Sequence, residues 1–151
     1  MAPIKARGLN HISLTVKEIK PLLPFFMDGL GYDLLSLAPR DPDLMSRMTG
    51  IEGVIVTIAF LEGYGHRLEL IQYYAPYDRK RVAARLCDMG ANHLGYDVDS
   101  MEEALGMAAH HGFAPTGEVI AINAGPNQGR RVAYVQNSDG VTVEFLELRK
   151  L

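Results

Sequence analysis

The chain has 151 residues, 48% of them hydrophobic and 22% charged, with a net charge of −3. These values suit one soluble domain and exclude a disordered tail, a collagen-like repeat or a disulfide scaffold. The acidic balance gives no basic footprint for nucleic acid, and no apolar run reaches the roughly 20 residues that a membrane helix needs. The first residues lack the apolar stretch of a secretory signal, and one cysteine, Cys87, cannot form an internal disulfide. Both points lead to the expectation of a reduced, cytoplasmic protein.

In chain order, residues 9–16 alternate apolar and polar types and predict a strand. Residues 21–30 suit a helix that tolerates Pro21 in its first turn. Residues 32–38 read as a second strand and 41–49 as a short helix or ordered loop. Residues 54–62 and 67–74 form a hairpin about Gly63-Tyr64-Gly65. A strand at 92–98 precedes Ser100-Met101-Glu102-Glu103, a capping box that opens a helix ending at Gly112. Strands at 117–122, 130–136 and 141–148 follow, with Asn137-Ser138-Asp139-Gly140 as a turn.

The order repeats. Asn10-His11-Ile12-Ser13-Leu14-Thr15-Val16 is similar to Asn92-His93-Leu94-Gly95-Tyr96-Asp97-Val98. Gly65-His66-Arg67-Leu68-Glu69-Leu70-Ile71 is similar to Gly140-Val141-Thr142-Val143-Glu144-Phe145-Leu146. The reading is one α+β domain, 1–151, of two βαβββ modules at about 1–76 and 88–151, joined by 77–87. Side by side, the modules are expected to make a curved, open, cup-like mixed sheet with helices outside.

Strand alternation sorts the faces. Ile12, Leu14 and Val16 oppose His11, Ser13 and Thr15; Leu68 and Leu70 oppose Arg67 and Glu69. In the second module, His93 and Glu144 likewise stand opposite the apolar side chains. One such residue alone is ordinarily a solvated surface group. Two histidines at one repeat position and two glutamates at another form a set. Pseudo-twofold symmetry would bring His11, Glu69, His93 and Glu144 to one divalent ion, and two imidazoles with two carboxylates suit such a site. That donor set does not choose among Zn, Ni, Co, Mn and Fe.

At these residues, and at Phe25-Phe26-Met27-Asp28-Gly29-Leu30-Gly31 and Asp139-Gly140-Val141-Thr142-Val143-Glu144, the sequence resembles the vicinal oxygen chelate superfamily. That group includes glyoxalase I, methylmalonyl-CoA epimerase, extradiol dioxygenases and bleomycin or fosfomycin resistance proteins. The resemblance covers nearly the whole chain and implies metal ligands from the first and fourth strands of each module, which are the same four residues. Four protein ligands leave about two positions on an octahedral ion, enough for a substrate chelating through two oxygens. The implied chemistry is proton abstraction beside a carbonyl on a small acyl or 2-oxo compound, by an epimerase, isomerase or glyoxalase-like lyase. Glu144 is the expected base as well as a ligand, with Glu69 its symmetry counterpart. Resemblance to the epimerase branch adds Glu52, just before the third strand, as a second catalytic carboxylate. The alternatives are an extradiol-type ring-cleaving dioxygenase and a non-catalytic binding or resistance protein. Asp78-Arg79-Lys80-Arg81 with Arg85 reads as a solvated face, His66 as surface, and Met45 and Met48, with Phe26, as core rather than the lining of an apolar mouth. The expected partners are a small-molecule substrate and a second copy of the chain, since edge strands need covering; neither nucleic acid nor membrane is expected.

Overall fold

The computed structural model describes residues 5–82 and 84–148. The chain divides into two compact units, Met1–Arg79 and Lys80–Leu151. Each builds a mixed sheet with few helices, as the βαβββ pattern of an α+β protein requires.

The first unit holds β1 (Ile12–Val16), β2 (Asp33–Pro39), β3 (Ile55–Gly63) and β4 (His66–Ala75), in the order β1-β4-β3-β2. Parallel pairing of β1 with β4 sets Ser13 beside Glu69. A two-residue turn joins β3 to β4, with Tyr64 at φ 54° and Gly65 at φ 77°. Positive φ at both positions matches the right-handed twist of the flanking strands, and glycine takes it without strain. That turn fixes the register, so Phe60 faces Glu69 and Ile58 faces Ile71.

The expected helix over 21–30 is shorter and wider than its sequence suggests. A π-helical turn spans Phe25–Gly29, where Leu30 N–H donates to the Phe25 carbonyl five residues back. Pro24 has no N–H to offer a regular ladder, and the turn buries Phe25 and Phe26 completely. The segment 41–49 resolves into a helix, α1 (Pro42–Thr49). Asp41 caps it by accepting from Leu44 N–H at 2.7 Å, Pro42 opens it, and Gly50 at φ 71° closes it.

Met45 of α1 packs with Val54, Val56 and Ile58, flanked by Phe60, Ile71 and Tyr73. The register puts Val56, Ile58 and Phe60 on the face that carries Glu69. That face is polar toward His11, Glu69 and the Arg67–Glu62 ion pair, and apolar at its far end, where α1 covers it. Met45 is core, as expected, and Met48 is exposed. On the opposite face Ala59, Leu61, Leu68 and Leu70 are fully buried.

The second unit holds β5 (Leu94–Val98), α2 (Met101–His110), β6 (Ala114–Pro115), β7 (Ile120–Ala121), β8 (Arg131–Gln136) and β9 (Thr142–Glu147). Its sheet runs β5-β9-β8-β6, with β7 also on β8. Parallel pairing sets Gly95 beside Glu144. The strand expected at 117–122 is reduced to Ile120–Ala121, and a separate piece, Ala114–Pro115, precedes it. Pro115 cannot donate to the ladder; Thr116 N–H still reaches the Tyr134 carbonyl at 2.9 Å, and pairing lapses from Gly117, which has no side chain to pack. Helix α2 starts where expected: Ser100 Oγ accepts from Glu103 N–H at 3.3 Å. Gly112 follows it at φ 80°.

Candidate metal-binding pairs

Each unit presents one histidine and one glutamate together. In the first, His11 Nε2 lies 3.5 Å from Glu69 Oε2. In the second, His93 Nε2 lies 3.1 Å from Glu144 Oε2. The placement is the same in both: the histidine immediately precedes the first strand, two residues before the one that pairs with the glutamate. Among the described residues, no three His, Cys, Asp or Glu side chains gather as a metal-holding group; the donors come as these two pairs.

The glutamates are sheltered. Side-chain exposure is 10% for Glu69 and 17% for Glu144, against 36% and 38% for the histidines. A buried carboxylate needs a cationic partner to offset lost hydration. Glu147, the comparably buried glutamate of β9, has one: Arg131 grips it with Nε and Nη2 at 2.6 and 2.7 Å. Among the described residues, no lysine or arginine forms an ion pair with Glu69 or Glu144. Among the described residues, only the His11 and His93 imidazoles stand against these two carboxylates at ion-pair distance.

Asn10 sets the His11 tautomer. Its Oδ1 can only accept, so His11 Nδ1–H donates to it at 2.8 Å. Nδ1 is thereby engaged and Nε2 is left on the Glu69 side, the arrangement of a metal-ligating histidine with its outer partner.

Two aromatic residues complete the pairs, and the sequence reading passed over both. Phe60 stands opposite Glu69 and meets the His11 ring edge-to-face at 5.8 Å. Tyr134 stands opposite Glu144 and meets the His93 ring at 5.2 Å. Burial, then hydrogen bonding to Glu144, raises the Tyr134 hydroxyl above the usual phenol range. Counting register back from the turns between β3 and β4 and between β8 and β9 would have found them.

Among the described residues, no hydrogen bond or ion pair ties the other expected residues to the pairs. Glu52 lies on an exposed turn after α1 and makes no hydrogen bond or ion pair among the described residues. His66 is not simply surface, because its Nε2 meets the buried Tyr32 hydroxyl at 3.1 Å. A cavity of about 570 Å³ in the first unit is lined by Lys17, Lys20, Gln72, Tyr74 and Arg79 among others, and by neither His11 nor Glu69.

Residues 10–134 match the model of the Glyoxalase/Bleomycin resistance protein/Dioxygenase superfamily. Similar solved structures include a glyoxalase family protein from Bacillus cereus, 23% identical, covering 97% of each chain with a TM-score of 0.82. The trypanothione-dependent glyoxalase I of Leishmania major is 22% identical over 94% of this chain and 87% of its own, with a TM-score of 0.60. The fosfomycin resistance protein FosX of Mesorhizobium loti is 11% identical over 94% and 92%, also at 0.60. At such identities the likeness is one of fold. No curated protein matches significantly in sequence.

Proposed function

The chain belongs to the glyoxalase/bleomycin resistance/dioxygenase superfamily, the vicinal oxygen chelate group, and on that premise we propose that it is a divalent-metal-dependent enzyme that moves a proton beside a carbonyl. The observation that carries the reading is the recurrence of one sheltered His–Glu pair, without lysine or arginine, at the same register in both units. His11, Glu69, His93 and Glu144 are the proposed ligands. Two nitrogens and two oxygens suit a borderline divalent ion such as Zn, Ni, Co, Mn or Fe. When bound, the ion supplies Lewis-acid stabilisation to the charge that develops as a proton leaves carbon beside a carbonyl.

The remaining work falls to the chain. The imidazoles of His11 and His93 would hold the cation without adding negative charge. A carboxylate accepts the proton, and Glu144 is our assignment, with Glu69 its counterpart in the other unit. Glu52 remains the candidate for the opposite face of the same carbon. The substrate class is a small acyl or 2-oxo compound, and glyoxalase- or epimerase-type chemistry fits four ligands better than oxygen activation does. The proposed assembly is a homodimer, and the proposed location is the cytoplasm, where exposed Cys87 stays reduced.

Metal analysis of the purified protein tests the reading. We expect one divalent ion for each His11–Glu69 and His93–Glu144 set, removable by chelator. His11→Ala and His93→Ala should each lose most of it, because a carboxylate does not replace a neutral nitrogen donor. Full metal content in both variants would overturn the ligand assignment.

A further inference from the structure

Beyond the pairs, the first unit carries an arginine with no acidic partner. Arg40 follows β2 and is half-buried. Its guanidinium carbon stands 5.9 Å from the centre of the Phe60 ring. The edge-to-face contact of Phe60 with His11 is on the same ring, at 5.8 Å between centroids. One aromatic side chain therefore separates a cation from the His11–Glu69 pair. Every other arginine with a contact in this unit has a polar partner: Arg67 meets Glu62, and Arg79 donates to the carbonyls of Tyr74 and Pro76. Among the described residues, neither a carboxylate nor a carbonyl takes the Arg40 side chain.

We propose that Arg40 is a substrate-binding residue that takes an oxyanion group, carboxylate or phosphate, of the molecule that chelates beside His11 and Glu69. The proposal rests on the metal-centre reading and adds the class of substrate: an anionic one, bifunctional, with its charge about one ring's width from its chelating oxygens. Stacking against Phe60 restrains the planar fork and removes part of its hydration, so less ordering is left to bind a bidentate oxyanion. A neutral substrate would leave that half-buried cation unpaired.

The test uses cobalt-loaded protein and paired hydroxamate probes, read by the cobalt absorption spectrum. Succinic and glutaric monohydroxamates carry a carboxylate tail; butyro- and valerohydroxamate are their neutral counterparts. We expect at least one tailed probe to bind about tenfold tighter than its counterpart, the scale of one charge-assisted contact. Arg40→Met should abolish that ratio while leaving the neutral affinity unchanged, and Arg40→Lys should keep part of it. The fold should survive these changes, because Arg40 meets β3 through its backbone N–H to the Val56 carbonyl. A second arm titrates inorganic phosphate into metal-free protein and follows the Arg40 Nε–H resonance, where we expect a saturable shift. A wild-type ratio near one with both probe pairs overturns the Arg40 proposal and leaves the metal reading intact. If no cobalt is taken up, the metal reading falls, and the phosphate arm alone decides: a saturable shift sustains Arg40, and an unmoved resonance overturns it.

Discussion

Asn10 and Asn92 hold the same repeat position, yet only Asn10 hydrogen-bonds its histidine in this structure, at 2.8 Å. An outer partner that fixes a ligand tautomer is typically worth about 10–100-fold in metal affinity. Asn10→Ala should therefore weaken metal binding by roughly tenfold or more, and Asn92→Ala should change it little. Competition against a chromophoric chelator measures both; equal effects would remove the distinction. The four proposed ligands were legible in the sequence because strand alternation and an internal repeat both act over short, countable distances. Phe60 and Tyr134 were less visible. Each is an ordinary aromatic in an apolar run, and its relation to a glutamate exists only once the hairpin register is set. Arg40 was silent for a similar reason, since its significance comes from the ring it faces.

At the scale of elements, Arg131 of β8 ties α2 to the sheet. It forks onto Glu147 of β9 and reaches Glu102 of α2 at 2.8 Å. Glu147 also accepts from the Met101 N–H at the start of α2, at 3.1 Å. Glu147→Gln removes the charge from three bonds and should cost about 2 kcal/mol, read as a lower thermal midpoint. Hydrogen bonding to Arg131 holds the Glu102 carboxyl below the usual range. A depressed acid stabilises the fold above its unfolded pKa, and the gain is lost as pH falls through the folded value. Acid unfolding followed by circular dichroism should steepen below about pH 4 in the wild type, and Arg131→Ala should flatten that limb. Gly63 gives a packing test in the first unit. A methyl group there would stand 2.9 Å from the Tyr32 ring, which also meets His66. Gly63→Ala should cost about 1–3 kcal/mol through displacement of that ring; an unchanged midpoint would show that it yields freely. Strands with clean alternation were readable from sequence, and so was the start of α2, because capping chemistry is local; the segment 41–49 stayed open between helix and loop. The π-helical turn and the break between β6 and β7 were not. Both depend on where prolines interrupt a hydrogen-bond ladder that the rest of the unit supplies.

For the whole molecule, proton transfer and ring cleavage make opposite demands on oxygen. Once a substrate for the proposed reaction is found, its turnover should be unchanged under strict exclusion of O2, as followed by solvent deuterium uptake. Strict dependence on O2 would favour the dioxygenase alternative and remove Glu69 from the ligand set. Sedimentation should give twice the chain mass of 16.6 kDa if the proposed dimer forms. The β2 edge of the first sheet, with Leu34, Leu35 and Leu37 exposed, is a natural place to probe it by lysine substitution.

The parallel pairing of β1 with β4 and of β5 with β9 also has a temporal side. Each histidine waits for a glutamate between fifty and sixty positions later in the chain, so neither pair exists until its unit's last strand docks. On a ribosome the first pair can assemble while the second half is still being made; the second must wait until β9 has emerged. The emerging chain would thus offer one half of its donor set before the other. Nascent chains stalled before β9 should show the first unit protected from protease and the second still open.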